Sequence, residues 1–466
     1  MVELMGIEPT TPCLQSRCSS QLSYSPVWSR RDTAQRTRRA TVLVGESGHY
    51  DSAGVIVDIY IGATHTPLGG RPCRARVAGT PVRLLTGPGG GNGARWRDVD
   101  HRSGRPREKN GVIKYLGSKR RLVPVLGELF EASGARTALD LFTGTTRVAQ
   151  EFKRLGGLVT AVDTARYAEV FARCYVAIDA DEVDRSEVAG ALEHLAALPG
   201  QPGYFTDTFC ESSRFFQPFN GARVDSIRTA MDAEFAGSPM FPILLTSLIE
   251  AADRVDSTTG QQMAYLKAWA PRSFKDLELR MPDLLAGTGT SVRGDAVALA
   301  GELGPFDIAY LDPPYNQHRY LTNYHVWETL VAWDAPEHYG VACKRIDCRD
   351  EATKSVFNRK REMPGALGAT VADLQADVVV LSHNDESWIT LDELVEICRP
   401  RGEVAVMSFD SKRYVGAQIG IHSPGGERVG EVSHLRNVEY LLVAGDPARV
   451  RRMVEPFAGS PALNRT

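Results

Sequence analysis

Apolar positions along this chain change rhythm more than once. Up to about residue 110 they are scattered without a sustained period. From Val112 onward, short apolar runs alternate with stretches patterned for helices, the signature of a parallel sheet with helices on both faces. The runs Thr137–Leu141, Leu158–Val162, Ser291–Arg293, Asp307–Leu311, Val378–Ser382, Glu403–Phe409 and Glu439–Val443 predict seven strands. Between Asp163 and Ser291 the strand rhythm stops, and segments such as Glu187–Leu198, Val224–Ala236 and Phe241–Arg254 predict an inserted, mainly helical domain. A second insertion is expected from about Trp333 to Asp373.

The expected fold is therefore α/β. A Rossmann-like, seven-stranded domain would comprise residues 111–164 and 291–446, with a helical insert at 165–290 and a tail at 447–466. Residues 1–110 differ in composition, with fifteen Arg against a single Lys and many Ser, Thr, Pro and Gly. The glycine-rich stretch Gly87–Gly93, followed by basic residues to Lys109, is similar to a flexible linker. Three origins fit this arm: a disordered basic segment, an Arg-rich targeting sequence, or an over-extended reading frame whose real start lies near Val112. The last is favoured.

Composition narrows the class further. With 466 residues, 43% hydrophobic, and a formal net charge of -3, the chain is long enough for two domains and carries no global basic excess. No run of eighteen apolar residues occurs, and the N-terminus lacks a secretory pattern, so a cytoplasmic protein is expected. The eight cysteines are scattered, without a Cys-x-x-Cys pair or a histidine at zinc-finger spacing, which predicts free thiols and no metal site.

Candidate chemistry gathers at strand ends. The apolar strand Phe306–Leu311 runs directly into Asp312-Pro313-Pro314-Tyr315, placing that loop at the carboxyl edge of the sheet, where open α/β sheets bind ligands. An exocyclic amino group conjugated to an aromatic ring is a poor nucleophile, because its lone pair is delocalised. The Asp312 carboxylate and the Pro313 carbonyl are two acceptors that could hold its hydrogens and aim the lone pair at a methyl donor. Tyr315 would stack on the base, which must leave its duplex to reach such a pocket. An ordinary Pro-Pro turn is the alternative.

Upstream, Ala138-Leu139-Asp140-Leu141-Phe142-Thr143-Gly144 leads into the helix Val148–Leu155, the first strand-turn-helix of a nucleoside-binding unit. Gly144 would let the backbone approach the ligand closely. The next strand ends in Asp163, about twenty residues on, where a carboxylate can bond both ribose hydroxyls. Asp295, after a further strand, would bind an adenine amino group or simply close a surface turn. Lys114-Tyr115-Leu116-Gly117-Ser118-Lys119 precedes the first strand and could close over one end of the ligand.

These four segments, in this order, resemble the Dam-like, alpha-group DNA adenine N6-methyltransferases, across roughly Val112 to Asp446. The resemblance implies a Rossmann-like S-adenosylmethionine-dependent methyltransferase domain, with the insert as its target-recognition domain. It implies S-adenosyl-L-methionine as cofactor and double-stranded DNA as partner, with a cognate restriction endonuclease in some cases. It implies that Tyr115, Gly117 and Lys119 line the methionine end, that Asp140, Phe142 and Gly144 hold the cofactor, and that Asp163 takes the ribose. Asp312, with Pro313, Pro314 and Tyr315, would act on a flipped adenine. Thr146 stands where the family usually has a second glycine. The segments Asp253–Gly260, Ser382–Glu386 and His434–Asn437 also look like the family, with His383 where a Tyr is common and able to stack on the base.

Two surfaces leave alternatives open. The aromatic-rich stretch Tyr204–Phe219, with Arg214 and Arg223, suits either a nucleic-acid surface or the insert's own core. The cluster Lys354, Arg359, Lys360 and Arg361 is ordinarily a solvated helix face and alternatively a DNA contact. RNA adenine methylation and a non-catalytic recognition subunit are the rival functions. Asp312 favours adenine, since related loops acting on cytosine N4 more often begin with Ser and those acting on protein glutamine with Asn. The sequence motif recognised on DNA and the oligomeric state are not encoded legibly.

Overall fold

The computed structural model describes residues 60–61, 113–115, 119–317, 319–412, 421–422, 428–430 and 436–458. The expectations for the arm at 1–110 and for Gly117 thus fall outside the described residues, apart from the two-residue strand Tyr60–Ile61. The seven expected strands are all present: β1 (Thr137–Asp140), β2 (Leu158–Asp163), β3 (Gly289–Arg293), β4 (Phe306–Leu311), β5 (Ala376–Asn384), β6 (Glu403–Lys412) and β7 (Arg436–Gly445). They lie in the order β6-β7-β5-β4-β1-β2-β3, with Tyr60–Ile61 paired antiparallel on the β6 edge. β1 to β5 are mutually parallel where they pair, whereas β7 runs antiparallel to both β5 and β6.

Alternation along the strands builds a core on each face of the sheet. Ala138, Ile308 and Tyr310 join one core with Leu126, Phe130, Phe152 and Val450. Their neighbours Leu139, Ala309 and Leu311 join the other, with Met363, Leu367 and Leu394. The first core is closed by α1 (Val123–Ser133), α2 (Arg147–Arg154) and a C-terminal helix at Pro447–Val454. Residues 447–457, expected as a tail, are thus part of the domain, with Val450 and Met453 fully buried. At the amino edge of the sheet, Asp307 accepts hydrogen bonds from Arg136 N, Thr137 N and Thr137 Oγ1, which pull its pKa down and lock β4 to β1.

Between β2 and β3 the chain is helical, with α3 (Arg166–Ala172), α4 (Arg185–Ala197), α5 (Pro218–Phe235) and α6 (Phe241–Val255). Phe205, Phe209, Phe215 and Phe216 are buried in its core, so these four rings are packing elements, while Phe219 is exposed. That core does not end with the insert: α7 (His325–Ala332), after β4, adds Val326, Trp327 and Leu330 to it. The boundary drawn near residue 290 therefore separates residues that pack together.

Lys153 shows how a polar group is accommodated below the sheet. Its side chain is 3% exposed and donates to the carbonyls of Tyr175, Val176 and Ile178 at 3.2, 2.9 and 2.6 Å, where the helical turn Arg173–Ala177 ends. Lys153→Met should strand these carbonyls and lower unfolding stability by about 2–3 kcal/mol. Urea denaturation at pH 7 measures this; a change below about 0.5 kcal/mol would mean that the carbonyls find other donors.

Candidate active site

The strand order reverses between β1 and β4, which opens a crevice at their carboxyl ends. There the chain encloses a cavity of about 530 Å³. Tyr115, Lys119, Asp140, Phe142, Gly144, Asp163, Asp295, Asp312 and Pro314 all line it, so the structure brings together nearly every residue expected from the sequence. Pro313, within the loop, is buried, and Tyr315 stands beside the cavity against His383, their rings edge to face at 5.8 Å.

The turn after β1 is organised by two carboxylates. Asp140 folds under it, accepting from Thr143 Oγ1 at 2.8 Å and Ala149 N at 3.1 Å, while its other oxygen, Oδ1, is buried without a partner. Burial pushes Asp140 up to about 7, against the lowering effect of these two bonds. Asp163 accepts from Gly144 N at 2.9 Å and from Ala165 N at 3.0 Å, and burial raises its pKa as well. Gly144 has φ 51°, and a Cβ there would lie 3.1 Å from the Tyr115 ring. Only glycine takes up that position without strain.

Thr146 resolves the family departure. It occupies the left-handed region, φ 59° and ψ 17°, which is unfavourable for a β-branched residue. Its hydroxyl donates to Thr145 O and accepts from Gln150 Nε2 at 2.8 Å, which holds it there. Thr146 is fully buried and Thr145, not Thr146, faces the cavity, so the glycine-like backbone survives without glycine.

Tyr115 belongs to an aromatic stack. It lies flat on Tyr324 at 4.6 Å, Tyr324 lies on Trp327 at 4.8 Å, and the Tyr115 and Tyr167 hydroxyls meet at 3.2 Å. The neighbouring Lys114 is tied to the insert, with its ammonium 3.2 Å from both Asp253 and Asp256 at the end of α6. Asp295, besides lining the cavity, caps the short helix Ala296–Leu299 through Val297 N and Ala298 N.

At the Asp312–Tyr315 loop, Lys119 Nζ lies 3.2 Å from Asp312 and 3.1 Å from Glu439. Burial raises the Asp312 pKa; Lys119 lowers it and Glu439 raises it again, leaving it at about 6. Burial opposes the Lys119 charge, yet Asp312 and Glu439 together hold its pKa well above the usual value. His383 is fully buried, with Nε2 on Ser387 Oγ at 2.9 Å and a pKa driven down to about 3, chiefly by burial. In this position it backs the Tyr315 ring as a neutral side chain.

Several cavity-lining positions were invisible in the sequence. The segment 352–358 roofs the cavity, with Phe357 edge to face against Phe142 at 5.2 Å and Asn358 donating to Asn316 O at 2.8 Å. Of the basic cluster, Lys354 lines the cavity, while Arg359 pairs with Glu351 and Glu362 and belongs to the surface. Tyr320, five residues beyond Tyr315, also lines the cavity and is the one miss that the sequence could have signalled. Among the described residues no cluster of metal-ligating side chains occurs, and Cys174, Cys210, Cys343, Cys348 and Cys398 are buried free thiols. No described helix is long and apolar enough to cross a membrane.

Comparison with known proteins agrees with this geometry. The family profile of D12 class N6 adenine-specific DNA methyltransferases matches residues 115–397, from the aromatic of the first segment to the end of the helix after β5. The Type II methyltransferase M.NlaIII of Neisseria lactamica is 27% identical over 318 residues, covering 65% of this chain and 92% of the relative. M.CviAII of Paramecium bursaria Chlorella virus 1 is 28% identical, again across 92% of its length. M.FokI of Planomicrobium okeanokoites is 26% identical over 311 residues, and the chain spans 47% of that relative. With its four motif segments gathered on one cavity and more than half its length matched by the profile, the chain belongs to the D12 class N6 adenine-specific DNA methyltransferase family.

Proposed function

We propose that this enzyme methylates a flipped-out adenine of double-stranded DNA, with S-adenosylmethionine in the cavity and Asp312 as the acceptor that activates the amino group. The carrying observation is the position of Asp312: 19% exposed, on the wall of the same cavity as Gly144 and Asp163. The cavity fits the cofactor. Gly144 leaves room where any side chain would strike Tyr115, Asp163 stands where a ribose can be held, and Asp140 Oδ1 is a buried acceptor awaiting a donor. Bound S-adenosylmethionine would supply an electrophilic methyl group.

The chain's own residues do the rest. A base stacked in a duplex cannot reach a carboxylate set this deep, so the adenine is extruded at a cost of a few kcal/mol. Stacking on Tyr315 offsets about 1–3 kcal/mol of this. Asp312 and the Pro313 carbonyl then accept the two amino hydrogens and restore the nitrogen lone pair. Asp312 must be ionised to do so, hence turnover should fall as pH drops through about 6.

DNA is read by the insert, whose loop after α6 carries exposed Phe274 and Lys275 and also Trp269, over whose ring the Arg214 guanidinium, from the segment before α5, lies at 4.7 Å. The relatives' designations as Type II and modification enzymes support a cognate endonuclease as partner, and a DNA substrate is consistent with a cytoplasmic location.

Transfer of labelled methyl from S-adenosylmethionine to unmethylated genomic DNA, followed by nucleoside analysis, tests the proposal. N6-methyladenine is expected; label appearing only when RNA is offered would overturn the substrate assignment. Gly144→Ala should raise the cofactor KM about tenfold, the equivalent of roughly 1.4 kcal/mol of strain and crowding. Steady-state kinetics against cofactor decides this, and an unchanged KM would remove the turn from the cofactor site.

A further inference from the structure

Asp312 is not alone with its cation. β7 runs antiparallel to its neighbours, so its early residues arrive at the carboxyl edge of the parallel strands, and Glu439, paired in register with Asn384 and Phe409, stands at the active site. Lys119, 6% exposed, is bracketed by Asp312 Oδ1 at 3.2 Å and Glu439 Oε2 at 3.1 Å. A single buried ammonium thus serves two carboxylates, and the trio carries one net negative charge.

We infer that Glu439 is a positioning residue for methyl transfer: by sharing Lys119, it leaves Asp312 a competent acceptor for the amino group. Were Lys119 paired with Asp312 alone, the pair would be neutral. The ammonium would then draw electron density from the oxygen on which the substrate hydrogen must land. With Glu439 present, the surplus charge stays on the carboxylates, and the ammonium is fixed from behind so that Asp312 keeps one orientation. This inference rests on the assignment of Asp312 as acceptor.

The other ionisable groups around the trio do not substitute for Glu439. Asp140 faces Asp312 from β1, with Oδ2 taken by Thr143 and Ala149 and Oδ1 left to the cofactor side of the cavity; Tyr310, Tyr315 and Tyr320 are phenols whose pKa values burial raises. His383, on the Lys119 side, is neutral. Glu439 is thus the group whose charge raises the Asp312 pKa beyond the effect of burial.

The test compares Glu439→Gln, which keeps the shape and an acceptor for Lys119 but removes the charge, with Glu439→Asp, which keeps the charge on a shorter arm. Full-length protein, S-adenosylmethionine and unmethylated DNA are used, kcat is followed from pH 5 to 8, and thermal unfolding is recorded alongside. E439Q should lose about tenfold in kcat, keep its cofactor KM, and shift the acid limb of the profile to lower pH. E439D should retain more activity with the limb where the wild type has it.

Equal loss in both variants with an unmoved limb would reveal a merely structural role and overturn the inference, as would wild-type rates in E439Q. If E439Q does not fold, E439D alone decides: a wild-type limb with partial kcat supports the inference, and a loss accompanied by the same fall in melting temperature refutes it. Asp312→Ala run in parallel separates the two levels. An active D312A would sink the acceptor assignment itself, whereas an inactive D312A beside a wild-type E439Q would sink only the role of Glu439.

Discussion

Asp312→Ala is expected to reduce kcat by at least about a thousandfold while leaving cofactor affinity within a few-fold of wild type. Removing one preorganised group aimed at a reacting centre costs on the order of 10²–10³. Here the lost group is also charged and desolvated, which places the effect at or beyond the upper end. Stability should not fall with activity. The folded pKa of Asp312, about 6, lies above the ordinary 3.8, so between those values the native state binds the extra proton and stability declines as pH rises. At pH 8 the ionised carboxylate is a burden on the fold, and D312A, in which Lys119 retains Glu439, should melt at or above the wild-type temperature. Isothermal titration with cofactor, single-turnover methylation and a thermal melt at pH 8 check the three parts. Turnover within tenfold of wild type would move the chemistry elsewhere.

The largest effect on the fold is expected from Trp327→Ala. Trp327 is 2% exposed and ends the stack that supports Tyr115, so truncation should cost about 3–5 kcal/mol. Its reach extends to the cofactor, because Tyr324 and Tyr115 lose the flat surface that holds the Tyr115 ring over Gly144. Denaturant unfolding should therefore show the loss, and cofactor binding should weaken in the same variant. A cost under about 1 kcal/mol would mean that the neighbouring rings collapse into the space.

The sheet was legible because its central strands are apolar on both faces and its loops carry turn chemistry; Asp312 and Gly144 follow from lying in the turns after two such strands. The cavity roof was not, because residues 352–358 have neither period nor motif and acquire meaning only by resting on Phe142 and Asn316. Glu439 was hidden for another reason. It is separated from Lys119 by 320 positions, and in a strand read as apolar its charge looks like an ordinary outward-facing residue. The buried phenylalanines between 204 and 219 were ambiguous because aromatic-basic interleaving describes a nucleic-acid surface and a small helical core equally well. The burial of His383 behind Tyr315 could not be read from its sequence position.

On the proposed function, the link through Lys114 joins the cofactor cavity to the loop that meets DNA. Lys114 precedes Tyr115 and is anchored to Asp253 and Asp256, and Asp256 in turn holds Arg272 at 2.6 Å, within the loop that follows α6. A force on that loop is therefore transmitted to the aromatic wall of the cofactor cavity through two ionic contacts. Linkage requires the converse to the same degree: whatever factor DNA adds to cofactor affinity, cofactor must return to DNA affinity. On the proposed function, a duplex bearing the target site should therefore change cofactor affinity by the same factor by which cofactor changes the affinity for that duplex, whereas a duplex lacking that site should leave cofactor affinity unaltered.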